Sequence, residues 1–259
     1  MNVFAFDIET VPDVTGGRRL LGLDESLPDS DVAEAMLAVR RADTGGSDFL
    51  RLHLHRVAVI SVAARIGDKF RVFSIGDAET GEGEVIQRFF DGLDRYVPRL
   101  VSWNGSGFDL PVLHYRGMIH GVSAPRYFES GDNDQAFRFN NYLNRFHERH
   151  TDLMDVLAGY QPRANAPLDE MASLCGFPGK MGMSGAKVRE CIEAGDYEAV
   201  RNYCETDVLN TYLLYLRFEL LRGRLDRTGY DEACALVRDA LAEAKLPHLD
   251  EFLAAWQER

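Results

Sequence analysis

Apolar residues at every second position predict strands in the first part of the chain. They recur in this way within residues 2–9, so that one face of this segment is apolar. Residues 56–65 and 69–75 are rich in β-branched and aromatic side chains, and Gly67-Asp68 between them is typical of a hairpin turn. The first three strands are therefore predicted to be antiparallel neighbours in one sheet.

Apolar residues at intervals of three and four predict helices farther along the chain. The longest such segment covers residues 197–222, and a short buried strand is expected over 100–103. The Gly- and Asp-rich stretch 12–48 is predicted to hold one helix, and residues 121–150 to be irregular and locally basic. The other predicted helices cover residues 31–41, 82–96, 108–116, 151–157 and 168–175, and residues 230–256 form a C-terminal helical segment or pair.

Strands and helices alternate without an internal repeat or a low-complexity linker, which favours a mixed α/β architecture. With 259 residues, 46% of them hydrophobic, the chain can bury a sizeable core. We therefore expect one domain over residues 1–259, with a helical C-terminal extension from about residue 223.

Acidic residues outnumber basic ones, which gives a formal net charge of −12 and a pI of about 5.0. This balance argues against a general electrostatic affinity for nucleic acids or anionic membranes, but it allows a local basic surface and suits a protein that binds divalent cations. No segment reaches the roughly 20 apolar residues of a membrane helix. The N-terminus shows no secretion signal and the cysteines lack CxxC spacing, so we expect free thiols and a cytoplasmic location without membrane association.

Two carboxylates stand at the end of the first predicted strand. Asp7 and Glu9 are two positions apart, so their side chains point to the same face of the sheet. An ionised carboxylate moved out of water costs on the order of several kcal/mol unless a positive group meets it. A strand end that emerges into water is the alternative, because acids are common there.

Further acids occur in two later segments. Asp109 follows a strand and opens a predicted helix, where a carboxylate serves equally well as an N-terminal cap or as a metal ligand. Tyr203 and Asp207 project from one face of the longest helix, and the apolar residues around them indicate that much of this helix is buried. A core tyrosine with a solvated aspartate is the alternative. Asp152 is favoured as a helix cap over a position near a metal ion.

Convergence of these acids would require cations, because several carboxylates at one site repel one another. A set of oxygen ligands suits Mg²⁺ or Mn²⁺ rather than zinc. Two such ions about 4 Å apart form the clamp that many enzymes use for phosphodiester cleavage. The four acids therefore predict a metal-dependent phosphodiesterase site at Asp7, Glu9, Asp109 and Asp207.

Three short motifs resemble those of the DEDD-type 3′–5′ exonucleases in their tyrosine form. They stand in the family's order with similar spacing: Asp7-Ile8-Glu9, Asn104 with Phe108-Asp109, and Tyr203-x-x-x-Asp207. The longer stretches HTDLMDVL, LCGFPGKMGM and YCETDVLNTYLLYLR are similar to bacterial predicted exonucleases related to the proofreading domain of family B DNA polymerases. The similarity extends from the N-terminus to about Arg222.

The resemblance implies an RNase H-like fold, with a mixed central sheet of about five strands flanked by helices. It also implies a metal-dependent exonuclease that removes nucleotides from the 3′ end of single-stranded nucleic acid, with DNA favoured over RNA and two Mg²⁺ or Mn²⁺ ions in the site. Asp7 and Asp207 would contact metal most directly, with Glu9 on the same ion. Asp109 would complete the shell of the second ion. Tyr203 would orient the attacking water.

Five more residues are candidate substrate contacts: Asn104, Phe108, Lys180, Lys187 and Arg145. Asn104 would either hydrogen-bond the terminal nucleotide or cap its own turn, and neither is favoured. Phe108 is favoured as a core residue over a stacking platform. Lys180 and Lys187 lie on a Gly-rich loop before a helix, where they either meet backbone phosphates or are simply solvated.

Arg145 belongs to a stretch in which basic and aromatic residues alternate. Charge and stacking of this kind fit the binding of a single strand, whereas the alternative is that the aromatic rings form a small core of the loop itself. The stretch contains Arg138, Arg145, Arg149, Phe137, Phe139, Tyr142 and Phe146.

Two other functions remain open from the sequence. One is the trimming of RNA ends or short oligonucleotides on the same fold, since no feature of the chain reads a ribose 2′-hydroxyl. The other is a nuclease-like binding module without turnover, which the acidic net charge supports and the presence of all four acids and Tyr203 argues against. The sequence identifies no replication or repair partner.

Overall fold

Backbone hydrogen bonds join five strands into one mixed sheet of order β3-β2-β1-β4-β5 in the computed structural model, which describes residues 2–257. β1, β2 and β3 are antiparallel neighbours, as the sequence predicts, while β4 runs parallel to β1 and β5 parallel to β4. The strands are Val3–Pro12 (β1), His55–Ile66 (β2), Lys69–Ser74 (β3), Arg99–Ser102 (β4) and His150–Asp152 (β5).

Helices cover both faces of this sheet. The bounds of α3 are those predicted from the sequence, and the C-terminal segment forms a pair of helices. The helices in the described part of the chain are Val14–Leu21 (α1), Asp29–Thr44 (α2), Glu82–Tyr96 (α3), Asp109–His120 (α4), Leu153–Leu157 (α5), Leu168–Leu174 (α6), Val188–Glu193 (α7), Tyr197–Leu221 (α8), Arg227–Ala244 (α9) and Pro247–Gln257 (α10).

Two sequence predictions are wrong in detail. The helix predicted over 151–157 begins only at Leu153, because His150–Asp152 pairs with β4 and a three-residue strand is too short to show an alternating pattern. The stretch 12–48 holds two helices rather than one, since α1 contains a pair of glycines that weaken its helical signal. The side chain of Asp13 caps α1 by accepting the Gly16 N–H.

The two faces of the sheet have separate cores, and this decides where the acids point. Phe4, Phe6 and Ile8 of β1 are buried with α3 and α4 on one face. Val3 and Ala5 are buried on the other face with the apolar residues of α8, α9 and α10. Because side chains alternate along a strand, the positions that continue the second row lie on the α8 face of the sheet.

The C-terminal helices share that second core. Val237 of α9 and Phe252 of α10 are fully buried in the cluster that contains Val208 and Leu213 of α8. None of the helices in residues 2–257 is long and apolar enough to cross a membrane.

Candidate active site

The first acidic pair stands on β1 just beyond its pairing with β4, which ends at Ala5, while the pairing with β2 continues to Pro12. Asp7 and Glu9 continue the row of Val3 and Ala5, so both side chains point toward α8. A register shift between Glu9 and Thr10 interrupts the pairing of β1 with β2 directly after this pair. Such irregularities re-aim side chains at the ends of strands, and here one follows the two carboxylates.

Asp109 is the first residue of α4 and is buried. Its Oδ1 accepts the backbone N–H of Ile8 at 3.1 Å, so the carboxylate reaches β1 between Asp7 and Glu9. The residue before the helix, Phe108, makes no side-chain cap, whereas the Asp109 carboxylate also hydrogen-bonds its own backbone N–H. The structure therefore places Asp109 beside the first acidic motif, while its role as a metal ligand stays a prediction.

Tyr203 and Asp207 face the same region from α8, one helical turn apart. The Tyr203 hydroxyl hydrogen-bonds the Asp207 carboxylate. Cys204, between them in the chain, is fully buried and directs its thiol at Asp7, with the Sγ 3.7 Å from Oδ2 and 3.6 Å from the backbone oxygen. The long helix thus brings both an acid and a thiol to the part of β1 that carries Asp7 and Glu9.

Asp152 holds the loop that carries Asp109. Its two carboxylate oxygens accept the backbone N–H groups of Asn104 and Ser106 at 2.9 and 2.8 Å. It also caps α5 by accepting the N–H of Asp155, so the predicted helix-cap role is confirmed. Asn104 itself has a φ of +66°, a backbone conformation that asparagine tolerates better than most residues, and its carbonyl starts the turn.

The side chains converge on one open cleft with a volume of about 520 Å³. All four acids and Tyr203 line it, as do Asn104 and Phe108 from the predicted substrate contacts. The indole N–H of Trp103 donates to the Ala166 carbonyl at 3.1 Å and so ties two walls of the cleft together. The remaining lining residues are Ile8, Trp103, Met154, Asn165, Ala166, Pro167, Leu168 and Gly185.

Burial raises the pKa of every acid in this cluster. Burial is the largest cause for Asp7 and Glu9, whose pKa values lie well above the ordinary range, and the neighbouring carboxylates add to it. The pKa of Asp109 is raised to about 7 and that of Asp207 to about 6, again chiefly by burial. No Lys or Arg within residues 2–257 forms an ion pair with any of the four acids. Ionisation of the cluster therefore costs free energy, and no ion pair among the described side chains offsets that cost.

This donor set fits hard divalent cations. Asp7, Glu9 and Cys204 can present one ligand atom each within 4.8 Å of one another, and Asp109 and Asp207 line the same cleft. Burial raises the pKa of the Cys204 thiol far above its usual range, which keeps it protonated and leaves the carboxylate oxygens as the ligands. Oxygen ligands without a protein counter-charge are the arrangement expected for Mg²⁺ or Mn²⁺.

The three predicted cationic contacts do not line the cleft. Lys180 is exposed, but its charge lowers the pKa of Asp207, so it lies within electrostatic range of that acid. Lys187 is exposed at the end of a short 3-10 turn that begins at Gly185 on the cleft wall. Arg145 pairs with Asp155 at 3.3 Å, and Asp155 is the residue after Met154 of the cleft lining.

The aromatic stretch divides into a buried and an exposed part. Phe137 and Tyr142 are buried in the core on the α3 side, and the guanidinium of Arg149 lies 3.7 Å from the centre of the Phe137 ring. These two rings are therefore core residues, but they join the main core beside α3 and α4 rather than form a small core of the loop itself. Phe139 and Phe146 are instead 83% and 70% exposed, which leaves them free to contact a ligand.

Comparison with known families adds an independent finding. Residues 47–256 match the family described as predicted 3′-5′ exonucleases related to the exonuclease domain of PolB. The chain belongs to this family. Exonuclease domains of this kind generally use divalent metals, in agreement with the donor set. No curated protein matches the chain.

The family match begins after β1, so it includes Asp109, Tyr203 and Asp207 but not the first acidic pair. The fold supplies the connection, because β1 pairs with β2 and β4 of the matched segment and places Asp7 and Glu9 beside Asp109. The acids of β1 therefore line the same cleft as Asp109 and Asp207 of the matched segment.

Sequence reasoning missed two features of the site. The sequence predicts only a free thiol at Cys204, although this residue stands next to Tyr203 in a motif and its helical position turns it toward β1. The cleft wall formed by residues 165–168 carries no charged or aromatic signal and could be located only by the fold.

Proposed function

We propose that this protein is a metal-dependent 3′–5′ exonuclease that hydrolyses phosphodiester bonds at the 3′ end of single-stranded nucleic acid, with DNA as the favoured substrate. The observation that carries the proposal is the convergence of Asp7, Glu9, Asp109 and Asp207 in one open cleft without a protein cation. Membership of an exonuclease family supports the reaction type and its polarity.

The acids are proposed to hold two Mg²⁺ or Mn²⁺ ions. Asp7 and Asp207 face one another across β1 and α8, with Glu9 beside them, while Asp109 approaches from the start of α4. When bound, such ions supply an activated water and charge stabilisation for the leaving oxygen. The protein's own contribution is to keep the carboxylates fixed, which the Ile8–Asp109 and Asp152–loop hydrogen bonds do.

Tyr203 is proposed to position the attacking water. Burial and the nearby carboxylates raise the pKa of its phenol, so the hydroxyl stays protonated at neutral pH and acts as a hydrogen-bonding group rather than a base. Its hydrogen bond to Asp207 holds it at the cleft wall.

Replacing Tyr203 by phenylalanine is expected to lower the cleavage rate by up to about a hundredfold while metal binding is retained, because only the orientation of the water is lost. Steady-state rates and the stabilisation of the protein by Mn²⁺, measured by thermal unfolding, check both parts. Tyr115→Phe, at an exposed tyrosine of α4, is the control. A rate equal to that of the wild type would remove Tyr203 from the mechanism.

An exposed aromatic surface beside the cleft is proposed to bind the single strand behind its 3′ end. The Phe146 and Tyr160 rings meet edge to face with centroids 5.0 Å apart, and the Arg145 guanidinium lies 4.4 Å from the centre of the Tyr160 ring. Tyr160 has a φ of +61°, unfavourable for a bulky residue, and its hydroxyl donates to the Arg145 carbonyl. Stacking rings with an adjacent cation suit unpaired bases and their phosphates.

Phe146→Ala is expected to raise KM for a single-stranded oligonucleotide by about fivefold to tenfold, the loss of about 1 kcal/mol of base stacking, and to leave kcat near the wild-type value. Phe73→Ala is the matched control, since Phe73 is exposed on β3 at the edge of the sheet opposite to β5. Equal KM values for both variants would place the strand elsewhere on the surface.

The substrate class is tested with DNA and RNA oligonucleotides of matched sequence, each with a free or a phosphorylated 3′ end. The proposal predicts faster shortening of DNA, and protection of both substrates by the 3′ block. Faster shortening of the RNA would establish the exoribonuclease function instead. Binding without cleavage of either substrate would establish a nuclease-like binding module.

We also propose that the chain acts as one exonuclease domain with a helical extension from about residue 223. The burial of α9 and α10 in the same core as α8 supports this view, because α8 carries Tyr203 and Asp207. An exonuclease of this kind would serve replication or repair proteins as partners, and no surface of the described residues identifies one.

A further inference from the structure

A row of polar side chains crosses the sheet from the acidic cluster. Asp7 of β1 is paired with Ser61 of β2, and Ser61 is paired with Ser74 of β3. Paired residues share a face of the sheet, so all three side chains point toward α8. The two serine hydroxyls are buried and lie 2.8 Å apart. Two serines buried in this way need hydrogen-bond partners, and the row supplies them.

Glu205 of α8 continues this row away from the cleft. It is buried, and its Oε1 accepts the Ser74 hydroxyl at 2.7 Å. The Nε2 of His248, near the start of α10, donates to the other carboxylate oxygen at 2.8 Å. Arg201 lies one turn earlier on α8 with its guanidinium 3.8 Å from the same carboxylate. The Glu205 carboxylate thus has polar partners on β3, α8 and α10.

Cys204 connects the row back to the acid of β1. Its thiol points at Asp7, with the Sγ 3.7 Å from Oδ2, and its sulfur lies near the hydroxyl of Ser61, the β2 residue paired with Asp7. A continuous chain of buried polar groups therefore runs from Asp7 through Cys204, Ser61 and Ser74 to Glu205, and ends at His248. Of these six residues, only Asp7 lines the cleft.

We propose that His248 is a positioning residue of the exonuclease site, which fixes the carboxylate of Asp7 through this row of buried polar groups. The proposal rests on the proposed function in one respect, namely that Asp7 is a metal ligand. It gives the C-terminal helices a role that no motif in residues 223–257 indicates: α10 supplies the last member of the chain that orients a catalytic acid.

The arrangement is more specific than packing requires. Apolar side chains would fill the space between β2, β3 and α8 without any need for partners, whereas Ser61, Ser74 and Glu205 each require a directed hydrogen bond. Groups that hold metal ligands from behind are the usual reason for such buried polar chains beside a metal site, and their loss weakens metal binding or activity by about tenfold to a hundredfold.

The test compares His248→Ala, His248→Gln and Asp250→Ala in the full chain. Glutamine can replace the N–H that His248 gives to Glu205, and Asp250 is an exposed residue of the same helix that serves as the control. Two quantities are measured: the Mn²⁺ concentration that gives half of the metal-induced rise in unfolding temperature, and the kcat and KM for a single-stranded oligonucleotide.

We expect His248→Ala to need about tenfold more Mn²⁺ than the wild type and to lower kcat with KM unchanged. His248→Gln is expected to recover most of both losses, and Asp250→Ala to match the wild type. Ser61→Ala, in the middle of the polar row, is expected to weaken Mn²⁺ binding to a similar extent. If His248→Ala fails to fold, this variant still tests whether the row affects metal binding.

Wild-type Mn²⁺ affinity in both His248→Ala and Ser61→Ala would overturn the proposal, even if their unfolding temperatures without metal are lower. A wild type that binds Mn²⁺ but cleaves no nucleic acid would overturn the proposed function instead. The metal titration still compares the variants in that case, so the two failures are distinguishable.

Discussion

Asp7→Asn is expected to abolish cleavage and, at the same time, to stabilise the metal-free protein. The substitution keeps the size of the side chain but removes one of the charges that repel each other at the site. Loss of a direct metal contact should lower the rate by about a thousandfold or more, which corresponds to about 4 kcal/mol in the activation free energy. The gain in stability follows because the wild-type protein must either ionise Asp7 among other acids or bind a proton there on folding, whereas asparagine requires neither.

The measurements are initial cleavage rates in Mn²⁺ and unfolding temperatures in EDTA. Asp169→Asn is a matched control, because Asp169 is exposed, contributes to the raised pKa of Asp207 and does not line the cleft. We expect its rate to stay close to that of the wild type. An Asp7→Asn variant that cleaves at the wild-type rate would disprove the assignment of the site.

The stability of the metal-free protein is expected to carry a pH dependence that comes from the acid cluster. A carboxyl group whose pKa is raised in the folded state stabilises that state fully below its unfolded pKa, near 4, and loses this effect as pH rises through the folded pKa. For Asp109 and Asp207 the folded values are about 7 and about 6, so the loss falls between pH 4 and about 7.

Buried histidines act in the opposite direction over part of this range, since burial lowers the pKa of His150 to about 4. The prediction therefore concerns the difference in unfolding free energy between Asp109→Asn and the wild type, in which the contribution of the histidines cancels. Asp109→Asn keeps an oxygen that can accept the Ile8 N–H, and in EDTA its advantage in unfolding free energy over the wild type should grow by roughly 3 kcal/mol between pH 5 and pH 8.

Urea unfolding of both proteins at several pH values measures this difference. Saturating Mn²⁺ is expected to stabilise the wild type by mass action and to reverse the order of the two proteins at pH 8, because the cation replaces the protons in the cluster. A difference that stays constant from pH 5 to pH 8 would show that Asp109 does not share a repelling cluster.

The sequence predicts the acidic part of the site well, for a physical reason. Strand alternation alone places Asp7 and Glu9 on one face, and helical spacing alone places Tyr203 and Asp207 on another. The meeting of these faces depends on the order of strands and helices, and here the resemblance to a known family supplied what the spacing could not.

Other features lie beyond what local patterns contain. The strand His150–Asp152 is too short to show periodicity, and α1 was missed because its glycines resemble a loop. Asp152 was predicted as a cap, but its hold on the Asn104 and Ser106 amides depends on the parallel pairing of β4 and β5.

The polar row was closer to being predictable. The turn at Gly67-Asp68 sets the hairpin register, and this register pairs Ser61 with Ser74. The partner of Ser74 on α8, Glu205, and the end of the chain at His248 required the tertiary packing of α10. Local geometry is thus readable from the sequence, while contacts between distant segments are not.

The central claim is that four carboxylates bind the cations that drive removal of nucleotides from a 3′ end. It is tested most directly by a time course of cleavage of a 5′-labelled single-stranded DNA in Mn²⁺, Mg²⁺ or EDTA, with Asp7→Asn beside the wild type. We predict a ladder of products that shortens from the 3′ end, requires metal and is absent for the variant. Cleavage in EDTA, or an equal ladder from Asp7→Asn, would contradict the claim.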